Sequence, residues 1–351
     1  MENRDGGCIS FAPRRRCALS VVMLGLACAV PASAQEQCGI PEVMLRDGFE
    51  PDALPGPLFF PDNAPLSITL DPGQAGSTVA GPTTIVSGTF SGPPGTGISA
   101  RGRPAVRVGN RWLIPNVPLN AGSDTITLTA TTLAGATATQ TLILTRDDST
   151  AAQARLSVET PQRFAPGSSR LRLDLAPALV VERLRVDFDG NATVDLDTTN
   201  ASTPLVSPYS QPGVYTATAT IDLAPGSPST PPNTLTRTVR VAIQNLAETR
   251  EDLCSVFGRM RGRLAANDVP GALLTLHPRL RPTFQTLWTS IGTGLPGVAS
   301  QLGTIVDGSI GSEGYAEYVI ARPVVGQPGQ FVGFRVQFDR GPDGVWRIGS
   351  M

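Results

Sequence analysis

The chain has 351 residues and contains no lysine, so its 28 basic residues are all arginine; 29 acidic residues bring the formal net charge to -1. This balance gives no electrostatic basis for binding nucleic acid or an anionic membrane. The length exceeds what one hydrophobic core of about 250 to 300 residues fills, so we expect two or three domains. Charged residues are 16% of the chain, with 37 glycines and 32 prolines, which predicts a mostly β fold of short strands joined by turns.

Residues 1–34 are predicted to be a cleavable signal peptide. Arg14 to Arg16 form the basic region, Ala18 to Val30 the apolar region, and Ala32 to Ala34 a small-residue cleavage site. A retained anchor, lipidation at Cys28 and twin-arginine export stay open as alternatives. We therefore expect a secreted protein, periplasmic, at the cell surface or extracellular, with no transmembrane segment in the mature chain.

Two cysteines, Cys38 and Cys254, remain after removal of the signal peptide. In an oxidising compartment they can form one disulfide that closes a very long loop. In the alternative, Cys254 is an inert buried thiol while Cys38 stays free or pairs outside the chain. The segment 35–61 around Cys38 is a proline-rich N-terminal tail that is typical of a linker.

Residues 62–147 are predicted to form a first β-sandwich. The segment Asp124 to Ala130 alternates apolar and polar residues, as strands with one buried face do. The segment also resembles the bacterial immunoglobulin-like domain first described as domain B of glucodextranase, on these residues: Ile85-Val86-Ser87-Gly88-Thr89, Val106-Arg107-Val108, Trp112 and Asn116-Val117-Pro118-Leu119-Asn120-Ala121-Gly122-Ser123-Asp124-Thr125-Ile126-Thr127-Leu128. The resemblance implies an extracellular spacer or adhesive module without chemistry of its own.

Residues 152–246 are predicted to form a second β-sandwich, with strands over Val214 to Ile221 and Leu235 to Ile243. An acidic turn over Val186 to Asp195 and the stretch Tyr209 to Tyr215, with its Pro-Gly-Val-Tyr sequence, are similar to the polycystic-kidney-disease-type domain of bacterial surface proteins. This resemblance implies a second immunoglobulin-like module.

Residues 247–351 are predicted to form an α+β domain. Apolar residues recur at helical spacing between Glu248 and Ala266, Asp268 can cap a second helix, and four strands follow from Thr304 onwards. The order of elements and the ending Asp343-Gly344-Val345-Trp346-Arg347-Ile348 resemble the nuclear transport factor 2-like (cystatin-like) cone. That class contains binders, assembly modules and some enzymes. We expect Trp346, like Trp112 and Trp288, to be a core residue.

The acidic turn of the second sandwich is the one candidate metal site. Asp187, Asp189, Asn191 and Asp195 offer oxygen ligands at alternate positions, as a calcium loop does. The sequence departs from an EF-hand, because Ala192 stands at the sixth position and Thr198 at the twelfth. The favoured interpretation is a solvated turn whose carboxylates bond their own backbone. We therefore expect no cofactor, and calcium bound at this turn is the alternative.

The last domain contains the other candidate ligand-binding residues. His277 is the only histidine and can act as a general base or, as we favour, cap a helix end. Tyr315 and Glu317 share one strand face with Glu313, and that face either lines a pocket or, as we favour, faces solvent.

The sequence therefore predicts an exported, non-catalytic binding, adhesion or spacer protein of the bacterial cell envelope or exterior, with an unidentified protein or glycan partner and no nucleic acid. We expect no catalytic residues. The alternative is that the terminal cone binds a small molecule or peptide, even enzymatically, while the sandwiches present it.

Overall fold

Residues 64–148, 154–159, 163–177, 179–225, 233–311 and 314–351 are described by a computed structural model. They form two β-sandwiches followed by a unit of helices and one antiparallel sheet. This arrangement confirms the mostly β fold class with a terminal α+β domain. The predicted signal peptide and the proline-rich tail lie outside the described residues.

The first sandwich has the strand order of an immunoglobulin domain. One sheet has the order β1-β3-β7-β6 and the other β2-β9-β8-β4-β5, which matches the two-sheet arrangement of that fold. Trp112 and Ile126 are fully buried between the sheets. The nine strands are Ser67–Leu70 (β1), Thr78–Val79 (β2), Thr83–Ser91 (β3), Gly97–Ala100 (β4), Arg103–Pro104 (β5), Val106–Val108 (β6), Arg111–Pro118 (β7), Gly122–Thr131 (β8) and Thr137–Arg146 (β9).

The second sandwich repeats this arrangement with sheets β10-β12-β15 and β11-β17-β16-β13-β14. The Tyr215 hydroxyl donates to the Gln211 carbonyl at 2.8 Å, a tyrosine corner of the kind that immunoglobulin-like domains use to fix a late strand. The eight strands are Ala154–Val158 (β10), Arg163–Phe164 (β11), Gly167–Leu175 (β12), Val181–Asp187 (β13), Leu196–Thr198 (β14), Leu205–Tyr209 (β15), Gly213–Leu223 (β16) and Thr234–Gln244 (β17).

The terminal unit packs helices against one face of a four-stranded sheet of order β18-β19-β20-β21. Its elements are Leu246–Ala265 (α1), Val269–Leu274 (α2), Arg281–Ile291 (α3), Leu295–Gln301 (α4), Thr304–Ile310 (β18), Tyr315–Pro323 (β19), Phe331–Arg340 (β20) and Trp346–Ser350 (β21). The first helix begins two residues before the predicted Glu248, because the side chain of Asn245 accepts from the backbone nitrogen of Ala247 at 2.9 Å. Asp268 caps α2 as predicted.

Polar and backbone contacts join the terminal unit to the first sandwich. The Asp252 carboxylate on α1 lies 3.0 Å from Arg107 and accepts from the backbone nitrogen of Gly95 at 2.9 Å. Arg340 on β20 donates to the backbone carbonyl of Ala105. Leu133, in the turn between β8 and β9, belongs to the hydrophobic core of the terminal unit.

The two sandwiches also contact each other. Arg240 on β17 lies 2.9 Å from the Asp71 carboxylate of the first sandwich. Beside this ion pair, Val106 and Leu113 of the first sandwich form a small buried cluster with Ala242 of the second. The two sandwiches are therefore held together at their junction by an ion pair and a small apolar cluster.

Candidate functional site

Exposed apolar side chains gather on the β19–β20 hairpin, near its turn. Val332 and Phe334 are 39% and 46% exposed, whereas Val336 and Phe338, further along β20, are fully buried. Scattered exposed apolar residues are ordinary, but a contiguous patch marks an interaction site. We use the name hairpin patch for the exposed residues on the two faces at this end of the hairpin: Val332, Phe334 and Arg322 on the face that continues to Val336 and Phe338, and Val319 and Arg335 on the outer face.

One side of β20 is incompletely paired. β19 pairs with β20 along Phe331–Arg340, whereas β21 pairs only with the part from Gln337 to Arg340. Among the described residues, no strand lies beside Val332–Val336 on the side away from β19. β20 thus has an open edge beside the hairpin patch.

The hydrogen-bond pattern shows which backbone groups face this open edge. The backbone nitrogen of Arg340 donates to the Gly314 carbonyl at 2.7 Å, on the β19 side. Along an antiparallel strand, the backbone groups of every second residue bond the strand on one side, and those of the residues between them point to the other side. The β19–β20 register has no bulge, so this alternation continues from Arg340 back to Val332. The N–H and C=O groups of Gly333 and Arg335 therefore point towards the open edge.

Two guanidinium groups and one carboxylate lie at the hairpin patch. Arg335 is 75% exposed, and its Nη1 lies 3.3 Å from Oε1 of Glu317. The Tyr315 hydroxyl donates to Oε2 of the same carboxylate at 2.9 Å, and this hydrogen bond raises the pKa of the phenol. Arg322 lies over the ring of Phe334, 5.5 Å from its centroid, and makes no ion pair among the described residues.

The structure brings the predicted residues Tyr315 and Glu317 into contact, but on the outer face of β19. The opposite face carries Tyr318, which is 4% exposed and packs under the helices. Tyr315 and Glu317 thus lie on the outer side of the sheet, the position that the favoured interpretation describes. Glu313 lies outside the described residues.

His277 lies before the 3-10 turn Pro278–Leu280. Its Nδ1 accepts from the backbone nitrogen of Arg279 at 3.3 Å, and its own backbone nitrogen donates to the Ile348 carbonyl at 2.8 Å. The side chain thus caps the N-terminus of this turn as a hydrogen-bond acceptor, whereas the favoured interpretation rested on a positive charge at a helix C-terminus. Among the described residues, no hydrogen bond or ion pair joins it to Tyr315 or Glu317.

The acidic turn joins β13 to β14 and uses its oxygens on its own backbone. The Asp187 carboxylate accepts from the backbone nitrogens of Gly190 at 2.7 Å and Ala192 at 2.8 Å. The Asp195 carboxylate accepts from the backbone nitrogen of Phe188 at 2.7 Å. Oxygens of three carboxylates still lie within 4.8 Å of one another, those of Asp187, Asp189 and Asp195.

The fit of this turn to calcium is partial. Ala192, at the sixth position of the loop, adopts a φ of 66°, which is the left-handed conformation that glycine would adopt without strain. The side-chain oxygen of Asn191 accepts from the backbone nitrogen of Thr193 at 2.7 Å, so it supports the turn in the same way as the carboxylates do. Backbone groups alone account for the shape of the turn.

Cys254 lies in α1, packs against the terminal core and is disulfide-bonded. It is the only cysteine among the described residues, so its partner lies outside them. The pairing with Cys38 stays a prediction.

A shallow depression on the second sandwich offers no further site. It is lined by Glu182, Arg183, Thr198 and neighbouring residues. Its main charges pair within the chain, because Arg183 lies 2.5 Å from Asp197.

Comparisons with known proteins identify no relative. No protein-family model matches the chain, and no curated protein matches it. Among solved structures, fibronectin(III)-like modules of CbhA from Clostridium thermocellum share 12% identity with a TM-score of 0.20, over 51% of this chain and 95% of that one.

Two further structures are similar over the same share of the chain. The N-terminal Ig1-2 module of the Drosophila receptor protein tyrosine phosphatase DLAR shares 12% identity with a TM-score of 0.21, over 52% of this chain and 97% of that one. Dimeric latent PorU from Porphyromonas gingivalis shares 13% identity with a TM-score of 0.28, over 52% of this chain and 20% of that one. Values this low assign neither a family nor an activity. Within the described part of the chain, no helix is both long and apolar enough to cross a membrane.

Proposed function

We propose that this is an exported, non-catalytic binding protein whose terminal unit binds a protein partner and whose two sandwiches hold that unit in place. The observation that carries the proposal is the hairpin patch. Val332 and Phe334 stay exposed beside a strand edge, although an apolar strand edge left in water invites association. Partner binding gives this surface a function.

Support for partner binding over a small-molecule site comes from the interior of the terminal unit. Trp288, Tyr318 and Phe338 are at most 4% exposed, and the rings of Tyr318 and Phe338 meet edge to face at 5.9 Å. Ligand sites are concave and mostly apolar, with a few polar groups that converge inside. Here the polar pair Tyr315 and Glu317 lies on the outer face instead.

The spacer role of the sandwiches is supported by their junctions. Asp252 and Arg107 tie the terminal unit to the first sandwich, and Arg240 and Asp71 tie the two sandwiches together. Together with the apolar contacts of Leu133 in the terminal core and of Val106 with Ala242, these ion pairs favour one arrangement in which the hairpin patch is presented in a defined direction.

The test is capture of exported host proteins on the immobilised mature protein, compared with two variants. Phe334→Ser removes an exposed ring of the hairpin patch, while Leu287→Ser removes a side chain of similar exposure, 48%, from α3. We expect a captured protein to be retained by the wild type and the Leu287→Ser control and lost on Phe334→Ser. An identical captured set on all three, or a small metabolite that raises the melting temperature, contradicts the proposal.

A further inference from the structure

We infer that the open edge of β20 from Val332 to Val336 is the docking site for an extended segment of a partner protein, which adds to the sheet as a new strand. The inference rests on the proposed function and names the partner's chemistry: apolar side chains on one face of the segment and carboxylates on the other.

The backbone of the open edge is prepared for strand addition. Gly333 and Arg335 each direct one N–H and one C=O group away from β19, and no described strand bonds these groups. Protected edges carry prolines, bulges or inward-pointing charges. The stretch Val332–Val336 contains no proline, and the bulge of β20 lies beyond it, between Gln337 and Phe338.

The length of the edge limits the docked segment. β21 pairs with β20 from Gln337 onwards, so a new strand must end before the place that Ser350 occupies. The five residues of the open edge span about 17 Å at the rise of a β-strand. The docked segment therefore has about five residues in register with β20.

Side chains of the edge specify the two faces of the segment. Val332 and Phe334 project from one face of β20 and would cover apolar side chains of the new strand, because cross-strand neighbours lie side by side. Arg335 projects from the other face. It is 75% exposed, and its Nη1 lies 3.3 Å from Oε1 of Glu317. Among the described residues no other carboxylate pairs with Arg335, so its remaining N–H groups are open to a further carboxylate. Carboxylates on the new strand complement this charge.

A second copy of the same edge fits less well. In an antiparallel pairing of two copies of Val332–Val336, the residues that precede Val332 in the second copy would run beside Gln337, where Ser350 already pairs. The second copy would also bring another Arg335 to the cationic face and no new carboxylate. A separate segment with alternating apolar and acidic residues satisfies both requirements.

The probe is a synthetic hexapeptide with blocked ends and alternating valine and glutamate, titrated into the full-length protein and followed by backbone amide NMR shifts. One control peptide replaces glutamate by lysine, and another carries N-methyl groups on the residues that would bond β20. We expect a dissociation constant on the order of 1 mM or below for the first peptide, with shifts at Gly333 and Arg335. Both controls should bind roughly tenfold more weakly.

Two variants of one residue test the edge itself. Gly333→Pro removes an N–H that faces the open edge and leaves the β19 ladder intact, while the control Gly333→Ala keeps that N–H. An added Cβ at this position meets its nearest neighbour, a Val319 methyl, at 3.4 Å, so both variants should melt as the wild type does. We expect peptide binding to fall roughly tenfold in Gly333→Pro and to stay unchanged in Gly333→Ala.

These measurements distinguish a failure of strand addition from a failure of the proposed function. No binding of the valine–glutamate peptide, or equal binding by Gly333→Pro, overturns strand addition. If protein capture still depends on Phe334 in that case, the proposed function survives. Concentration-dependent dimers in sedimentation that disappear in Gly333→Pro would instead assign the edge to a second copy and also overturn the inference.

Discussion

Asp124, at the start of β8, shows how one buried charge organises a loop region. Its carboxylate is 5% exposed and lies 2.6 Å from Arg101, which sits in the turn between β4 and β5. The same carboxylate accepts from the backbone nitrogen of Asn120 at 2.7 Å. These bonds hold the pKa of Asp124 at about 2, chiefly through the hydrogen bond from Arg101.

We expect Asp124→Asn to destabilise the protein in a pH-dependent way. Because the folded pKa lies below the ordinary value of 3.8, the ionised carboxylate stabilises the fold above about pH 4, and this contribution is lost as the pH falls towards 2. The difference in unfolding free energy should be about 2 kcal/mol at pH 7 and shrink below pH 4, measured by urea unfolding. Asp148→Asn, at a half-exposed ion pair, should change stability little. A pH-independent loss in Asp124→Asn would contradict this explanation.

Calcium at about 1 mM should leave the melting temperature unchanged. The carboxylates of Asp187 and Asp195 already accept from backbone nitrogens, so the turn keeps its shape without a cation. A ligand that binds only the folded state must stabilise it, and differential scanning fluorimetry would detect this. A clear rise with calcium that disappears in Asp189→Ala would show that the solvated-turn interpretation is wrong.

The alternation of β19 predicted that Tyr315 and Glu317 share a face, and the 2.9 Å hydrogen bond between them confirms it. The alternation could not decide which face is buried, because Tyr318 on one face resembles Tyr315 on the other. The buried face is selected by the helices, through contacts with residues far away in the sequence.

At the scale of elements, the terminal sheet was largely predictable, since strand limits such as those of β18 follow from local patterns. The length over which β21 pairs with β20 was not predictable. β21 bonds only the last part of β20, and this register depends on the turn Gly341–Gly344 and on a bulge. No local signal marks the open edge, because Val332, Phe334 and Val336 alternate with Gly333, Arg335 and Gln337 as in any strand with one buried face.

Trp346, in β21, is expected to be essential for the stability of the terminal unit. It is 7% exposed within the core cluster that also contains Phe257 and Met260, and its ring lies 6.0 Å from the guanidinium of Arg340. Trp346→Ala should cost about 3 to 5 kcal/mol, because the cavity adds to the lost burial. Leu287→Ala, at an exposed site on α3, is the control and should cost far less. Thermal melting followed by near-UV circular dichroism measures both, and similar melting of the two variants would contradict a core role for Trp346.

At the scale of the whole molecule, strand patterns and a change in composition near Ala247 predict three domains, but they do not predict the contacts between them. Arg107 meets Asp252 across 145 positions of sequence, and Leu133 completes a core that lies mostly after Ala247. Burial at the same junction lowers the pKa of Arg340 to about 10. No local pattern reports such pairings, because each residue alone resembles an ordinary surface or turn residue.

At this junction the backbone of Gly97 lies against the backbone of Asp343–Val345, so a single added methyl group should disturb it. A Cβ on Gly97 of β4 would lie 2.3 Å from the carbonyl carbon of Gly344 and 2.4 Å from the nitrogen of Val345. Gly97→Ala should therefore push the first sandwich and the terminal unit apart and cost about 1 to 3 kcal/mol through overpacking.

Gly258→Ala is the matched control for this change, since Gly258 lies in α1 and an added Cβ there meets no atom within 4 Å. The control should be as stable as the wild type or gain up to about 1 kcal/mol of helix stability. Calorimetry should show the terminal unit of Gly97→Ala melting earlier and separately from the first sandwich, because a weakened interface uncouples the two transitions. If Gly97→Ala instead melts with the control in one transition, the junction is a loose contact, and the spacer role of the sandwiches loses its structural basis.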